Sequence, residues 1–204
     1  INPDAVFLAA GAHYIKRIPG SDLPNVIDAV QALTDPKLAG KRIVIVGGGA
    51  TGTETADYFS GSPIEIQVDG AKEVGGEIIY RKKQTGIFSG KDISIVEMMD
   101  TIGNDLDVFC KDLVLTGLEE NGVAMYPGCR VERITEEGVF ICRIKTNETI
   151  FLPADTVILA GGLRPNYEDR FTNVPCPVIR IGDAVCPGKI KDAIYTAYYQ
   201  AREV

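Results

Sequence analysis

The sequence predicts an α/β fold with a mainly parallel sheet and an added antiparallel β element. Short apolar runs rich in Val and Ile, such as residues 43–46, are typical of parallel strands buried on both faces. Segments with apolar residues at helical spacing lie between these runs, and one strand is followed at once by three closely spaced glycines. Strands that alternate with helices place the chain in the α/β class.

The composition of the 204 residues limits the partners of the protein. Hydrophobic residues make up 45%, as in ordinary globular domains, and the net charge of −7 argues against nucleic acid or an anionic membrane as a partner. No apolar run is long enough to cross a bilayer and no signal peptide is recognisable, so we expect a cytoplasmic protein. The five scattered cysteines form no C-x-x-C pair, which predicts no metal or iron–sulfur site in this chain.

The first predicted elements are a strand over residues 5–9, a turn at Gly11 and a connection rich in Pro and Gly over residues 18–25. Asn25 is a candidate N-cap, because apolar residues follow it at helical spacing, namely Val26, Ala29, Val30 and Leu33. A short helix is therefore expected to begin at Val26.

A glycine-rich segment, residues 60–92, follows the helix that comes after the buried strand at residues 43–46. Within it, residues 64–68 alternate like a half-exposed strand, with residues 78–80 as a candidate antiparallel partner. Residues 93–97 then have the pattern of the next core strand. The segment therefore reads as an excursion between two core strands.

The second half of the chain continues the alternation. Asn104 is a candidate cap for a helix that Gly122 ends. Strand patterns then cover residues 123–126, 131–134, 139–144, 156–160 and 178–181. The second and third of these flank a Glu-Glu-Gly turn and predict a hairpin, and a final helix covers about residues 189–203.

The three glycines after the first buried strand have the spacing G-x-G-x-x-G, which is typical of dinucleotide binding when a strand precedes it and a helix follows. Gly47 permits the tight turn, Gly49 lets a pyrophosphate approach the backbone, and Gly52 lets the helix pack close to the sheet. The first helical N–H groups would then face the pyrophosphate. The predicted contact residues are Gly47, Gly48, Gly49, Ala50, Thr51 and Gly52.

A carboxylate after the second strand is expected to bind the adenine ribose. Asp69 has the usual distance from the glycines, whereas Glu97 follows the better buried strand, and we favour Glu97. Either carboxylate favours NADH over NADPH, because it repels a 2′-phosphate. The basic cluster at residues 81–83 is the opposing observation, since it could receive that phosphate.

Three further stretches resemble the flavoprotein reductases with two dinucleotide-binding domains. They are VFLAAGAHYIKRIPG, TVILAGGLRPN and VIRIGDAV. More narrowly, IPGSDLPNVIDAVQAL, GGGATGTETADYF, ISIVEMMDTIGNDLD and KIKDAIYTAYYQAREV are similar to the C-terminal region of the old yellow enzyme-like NADH:flavin oxidoreductases. That group includes 2-enoate reductase, 2,4-dienoyl-CoA reductase and trimethylamine dehydrogenase. This chain departs from the family at its two Ala-Thr-Gly crossings, which here read Ala-Ala-Gly and Ala-Gly-Gly.

The resemblance implies a domain organisation. Residues 39–160 would form a Rossmann-like NAD(P)-binding domain with a probable insertion at residues 60–92, and residues 1–38 and 161–204 would be parts of an FAD-binding domain. The family's first glycine motif, its FMN-bearing barrel and the iron–sulfur cluster of that barrel have no counterpart in this sequence. We therefore expect the chain to be a fragment whose partners are NADH and the rest of its own polypeptide.

The resemblance also implies roles for single residues. Glu54 would reach the nicotinamide region, Gly161 and Gly162 would form the crossing between domains, and Asp183 after Gly182 would contact the ribityl chain of FAD. No catalytic residue and no metal ligand are assigned within the chain.

The function implied is the NADH-binding, electron-input part of a flavin-dependent enzyme that reduces an enoate-type C=C bond elsewhere. The alternatives are part of a pyridine nucleotide–disulfide reductase and a regulatory nucleotide-binding module without hydride transfer. The first would carry a redox-active cysteine pair outside this chain, and the second would carry neither that pair nor the barrel.

Overall fold

The computed structural model divides the chain into two compact units. The smaller unit combines residues 1–15 with 162–204, and the larger unit covers residues 16–161. The structure describes residues 3–14, 17–61, 73–74, 77–78, 90–166, 171 and 173–204.

Strands and helices alternate along the chain, as the sequence predicts for the α/β class. The strands are β1 (Val6–Leu8), β2 (Ala12–Tyr14), β3 (Val26–Asp28), β4 (Arg42–Val46), β5 (Glu73–Val74), β6 (Glu77–Ile78), β7 (Asp92–Val96), β8 (Ala124–Tyr126), β9 (Cys129–Ile134), β10 (Gly138–Arg143), β11 (Thr149–Pro153), β12 (Thr156–Leu159), β13 (Leu163–Pro165) and β14 (Val178–Arg180). The α-helices are α1 (Ala29–Thr34), α2 (Ala50–Phe59), α3 (Val108–Glu120) and α4 (Ile190–Ala201), with 3₁₀ turns at Pro36–Leu38 and Gly182–Ala184.

A five-stranded parallel sheet organises the larger unit. Its strand order is β3-β12-β4-β7-β8, so β4 is the central strand. The apolar run in β4 is buried on both faces, with Ile43, Val44 and Ile45 at most 1% exposed. Val44 packs into a core shared with the antiparallel strands, and side chains that alternate with it point to the opposite face of the sheet.

The antiparallel element is a second sheet in the larger unit, with the order β9-β10-β11. Its buried residues, among them Val139 and Leu152, join the core that contains Val44 and Val157. The predicted hairpin is confirmed as β9 and β10, paired antiparallel. The sequence analysis did not predict β11, because its apolar run, residues 150–152, is only three residues long and includes the exposed Phe151.

Charged side chains fix the start of β4. At its start, Arg42 pairs with Asp155, which accepts from the Arg42 backbone N–H at 2.8 Å and from its guanidinium. The hydrogen bonds from the Arg42 side chain lower the pKa of Asp155 to about 2. Lys91 donates to the carbonyls of Ala39 and Gly40 at 2.8 and 2.9 Å, and burial lowers the pKa of this lysine. These contacts fix the end of the sheet that lies away from the glycines.

The smaller unit consists of two strand pairs and one helix. Strand β1 pairs in parallel with β14, and β2 pairs antiparallel with β13. Asn166 is anchored beside these strands, since its side-chain amide donates to the carbonyl of Ala10 at 2.8 Å and its Oδ1 lies 2.6 Å from Nδ1 of His13. The Gly182 N–H donates to Oγ1 of Thr196 at 2.8 Å and so ties the 3₁₀ turn to α4.

Two predicted helix starts were wrong. Helix α1 begins at Ala29 with Asp28 as its N-cap, because Val26 belongs to β3, and the Asn25 side chain donates to the carbonyl of Thr135 instead. Helix α3 begins at Val108 with Asp107 as its N-cap. Asn104 bonds Thr101 rather than the helix.

The predicted boundaries also differ from the units of the structure. The larger unit begins at residue 16 rather than 39, because β3 adds to its parallel sheet beside β12. Within the segment 60–92, the structure describes residues 60–61, 73–74, 77–78 and 90–92, and β5 pairs antiparallel with β6. The predictions for residues 64–68, Asp69 and residues 81–83 lie outside the described residues.

Candidate nucleotide-binding site

The glycine turn lies between β4 and α2, as predicted, and the space around it shows why glycines stand there. Gly47 has a φ of +111°, and a Cβ on it would lie 2.6 Å from the Cα of Gly161. A Cβ on Gly52 would lie 1.8 Å from the carbonyl oxygen of Gly47. The turn, the start of α2 and the end of β12 therefore approach one another more closely than any side chain allows.

Parallel strands end at a common edge of the sheet, and this edge gathers several of the predicted residues. Gly47 follows β4, Glu97 follows β7 and Gly161 follows β12. The Glu97 carboxylate accepts from the Gly48 N–H at 2.6 Å and from the Met99 N–H at 2.8 Å. These two bonds hold a half-exposed carboxylate beside the glycine turn.

The N-terminus of α2 presents backbone donors beside the same turn. Gly49 is the N-cap and makes no side-chain capping bond, so Ala50 and Thr51 are the first residues of the helix. Glu54, expected from the resemblance to reach the nicotinamide region, is exposed and is the fifth residue of α2. The helix dipole and the backbone N–H groups at this end suit an anion.

Sequence reasoning missed one residue at this edge. The Ala50 N–H donates to Oδ1 of Asp105 at 2.6 Å. Asp105 lies 55 residues after Ala50 in the segment between β7 and α3. Its sequence neighbourhood suggested a helix cap, and only the tertiary fold reveals that it reaches the glycine turn.

The predicted flavin-contacting residues lie in the smaller unit. Gly182 has a φ of +61°, and Oδ1 of Asp183 accepts from the Gly188 N–H at 3.2 Å. A surface cavity of about 400 Å³ lies beside Asp183 and the start of α4, and its apolar lining includes Ile190 and Ile194. Gly162, at the second crossing, has a φ of +72°.

The described residues hold no group of three or more His, Cys, Asp or Glu side chains placed to bind a metal ion. All five cysteines are free thiols, and Cys129 and Cys142 are buried. Among the described helices, none combines the length and the apolar character needed to cross a membrane.

Two curated relatives match nearly the whole chain. A metal reductase from Desulforamulus reducens is 35% identical over 96% of this chain and 30% of its own length. A cinnamate reductase from Clostridium sporogenes is 27% identical over 98% of this chain and 26% of its own length. The chain therefore spans less than a third of the length of either of these two relatives.

Known structures and family models agree with this likeness. A 2-naphthoyl-CoA reductase, solved with 2-naphthoyl-CoA, matches 99% of this chain and 27% of its own length at 20% identity, with a TM-score of 0.72. This match confirms the α/β fold with its parallel sheet. The resemblance to the FAD/NAD(P)-binding region of old yellow enzyme-like flavoproteins is confirmed too. Because the model of the family described as pyridine nucleotide-disulphide oxidoreductase matches residues 1–186, the chain belongs to that family.

Proposed function

We propose that this chain is the NADH-binding, electron-input part of a flavin-dependent oxidoreductase. Membership of a pyridine nucleotide-dependent family supports binding of NAD(P)H. The observation that carries the proposal is the Glu97 carboxylate, bonded to the Gly48 N–H at the edge where the glycine turn, β7 and β12 end. A nicotinamide dinucleotide needs this combination of a backbone anion site and an adjacent carboxylate.

Residues of the larger unit would bind two parts of the dinucleotide, the pyrophosphate and the adenine ribose. The backbone from Gly47 to Gly52 would hold the pyrophosphate, and Glu97 would accept hydrogen bonds from the adenine ribose hydroxyls. The same carboxylate would repel a 2′-phosphate, which favours NADH over NADPH. When bound, NADH supplies the hydride, and the protein supplies its placement.

The smaller unit would form part of the flavin site. Asp183, after the left-handed Gly182, would contact the ribityl chain of FAD, and the start of α4 would face the flavin ring. The sequence holds a single G-x-G-x-x-G, so the FAD pyrophosphate would be bound outside this chain. An FMN barrel with an iron–sulfur cluster would complete the enzyme. We propose that the larger unit, residues 16–161, which contains the expected domain at residues 39–160, is the NAD(P)-binding domain and that the smaller unit is part of the FAD domain.

The reaction proposed for the complete enzyme is reduction of an activated C=C bond of the enoate type. The name of the cinnamate reductase relative supports this substrate class, since cinnamate is an unsaturated carboxylate. The metal reductase relative shows that a similar region also occurs in an enzyme named for a different electron acceptor. We infer that parts of the polypeptide outside this chain select the electron acceptor.

The second candidate is part of a pyridine nucleotide–disulfide reductase, which the family description favours. In that case a redox-active cysteine pair would lie elsewhere in the polypeptide. The sequence of the full gene distinguishes the two candidates, because a barrel supports the first and a C-x-x-x-x-C motif supports the second.

The nucleotide site is tested by titrating the chain with NADH and with NADPH, using calorimetry. We expect tighter binding of NADH, and about tenfold weaker NADH binding in Glu97→Ala, because a charged hydrogen-bond acceptor is lost. Glu97→Gln should reduce the difference between the affinities for NADH and for NADPH, since it removes the charge that repels the 2′-phosphate. Glu119→Gln, an exposed glutamate on α3, is the control and should bind both nucleotides like the wild type. Unchanged NADH affinity in Glu97→Ala would show that another residue binds the ribose.

A further inference from the structure

The Asp105 carboxylate lies beside the glycine turn, at the N-terminus of α2. Its Oδ1 lies 2.6 Å from the backbone nitrogen of Ala50, the first residue of α2. A Cβ on Gly49 would lie 3.0 and 3.1 Å from the two carboxylate oxygens. The carboxylate therefore fills the space that Gly49 keeps open by having no side chain, and a pyrophosphate needs that same space.

The segment around Asp105 is fixed to the glycine turn by other contacts. The Gly103 N–H donates to the carbonyl oxygen of Gly48 at 2.7 Å, and Ile102 is buried with only 6% exposure. On the other side, Asp107 caps α3 by accepting from the Phe109 N–H. Asp105 thus lies between Gly103, which is bonded to the glycine turn, and the capped start of α3.

The N-terminus of α2 stabilises the negative charge of the Asp105 carboxylate. In the described part of the chain, the ion pairs of the larger unit involve Arg42, Arg130, Arg143 and Lys145 and do not include Asp105. The Ala50 N–H and the positive end of the α2 dipole are its described electrostatic partners. An incoming pyrophosphate would need the same N–H and would meet an adjacent negative charge.

We propose that the Asp105 carboxylate is an internal competitor of the dinucleotide pyrophosphate. It satisfies the anion site when no nucleotide is bound and must leave the Ala50 N–H before the pyrophosphate can bind there. This inference rests on the proposed function, because it concerns the same glycine turn. Asp105 then lowers the affinity for NADH and favours dissociation of the nucleotide, without contacting the reacting atoms.

The test compares NADH binding by the wild type, Asp105→Asn and Asp105→Ala. The asparagine keeps the shape and an acceptor oxygen but loses the charge, and the alanine removes both. We expect NADH affinity to rise in the order wild type, asparagine, alanine, with about a fivefold gain for alanine. Asp100→Asn is the matched control: Asp100 lies in the same segment, pairs with Lys145 at 2.9 Å and should show wild-type affinity when changed.

A second measurement ties the gain to the pyrophosphate. The alanine variant should bind ADP more tightly than the wild type does, while adenosine, followed by NMR titration, should bind both proteins equally. Equal or weaker NADH binding in both Asp105 variants would overturn the inference, and so would an equal gain for adenosine. The proposed function is judged separately, by whether the wild type or either variant binds NADH at all.

Discussion

Single glycines decide how closely α2 can approach the sheet. Changing Gly52 to Ala places a methyl group 1.8 Å from the carbonyl oxygen of Gly47, so the helix or the turn must move. We expect a loss of about 1–3 kcal/mol in the free energy of unfolding, as for other overpacked sites. Urea denaturation followed by circular dichroism measures this loss.

Gly117→Ala is the natural control for that variant. Gly117 also lies in a helix, α3, but the nearest atom to its added Cβ is an Asp57 carboxylate oxygen at 4.0 Å. Alanine there should stabilise the protein by up to about 1 kcal/mol through helix propensity. If both variants had the same stability, close packing at the glycine turn would not explain why position 52 is a glycine.

The ion pair at the start of β4 predicts how stability depends on pH. Arg42 holds the pKa of Asp155 at about 2 in the folded chain, below the value of about 3.9 for an unperturbed aspartate. The unfolded chain therefore binds the proton first, and stability that is complete above pH ~4 is lost as the pH falls toward 2.

Asp155→Asn should remove this contribution, so the unfolding midpoint of the variant should fall less steeply with pH between about 4 and 2 than that of the wild type. Thermal melts at a series of pH values measure both curves. Asp22→Asn, at an exposed carboxylate of the larger unit, controls for the change in net charge. Parallel curves for the wild type and Asp155→Asn would contradict the assignment.

At the scale of elements, the sequence predicts the strands that are marked by a local apolar pattern. The apolar runs of β4 and β12, and the apolar residues on both sides of Ser94 in β7, identify the central strands, since few other elements bury both faces. The helical spacing at Val26 gave a wrong prediction. Val26 and Ile27 are also favourable in a strand, and pairing with β12 makes them part of the short edge strand β3. Asp105 could not be predicted at all, because its partner, Ala50, is distant in sequence.

The corrected start of α3 gives a prediction for that element. Asp107 accepts from the Phe109 N–H at 3.0 Å, so Asp107→Ala removes the N-cap and should cost about 1 kcal/mol. Asp112→Ala, an exposed aspartate inside the helix, should cost less because it caps nothing. Urea unfolding of both variants provides the comparison. A larger loss in Asn104→Ala than in Asp107→Ala would restore the cap expected from the sequence.

At the scale of the whole molecule, the two units differ in how much they bury. The larger unit has a core that joins its two main sheets, whereas the described part of the smaller unit has two-stranded sheets and an α4 without a buried residue. Two-stranded sheets are marginal on their own. Ile190 and Ile194 on α4 are 83% and 63% exposed, which is costly for apolar side chains. We therefore expect the smaller unit to be the less stable of the two when the chain is on its own.

This difference predicts what the chain does alone. FAD would be held through Asp183 and the start of α4, both on the smaller unit, and the single glycine motif is assigned to NADH. We expect the purified chain, incubated with FAD and passed through a desalting column, to be colourless and to oxidise no NADH, while it still binds NADH weakly.

The visible absorption spectrum and the rate of NADH consumption measure these outcomes, with the FAD-loaded complete enzyme as the positive control. A yellow chain with stoichiometric FAD would show that the flavin pyrophosphate site lies within these 204 residues. It would then have to lie at backbone donors other than the turn from Gly47 to Gly52, because one glycine turn cannot hold two dinucleotides at once. Loss of the yellow colour in Asp183→Ala, together with unchanged NADH affinity, would show that the smaller unit contributes to FAD binding.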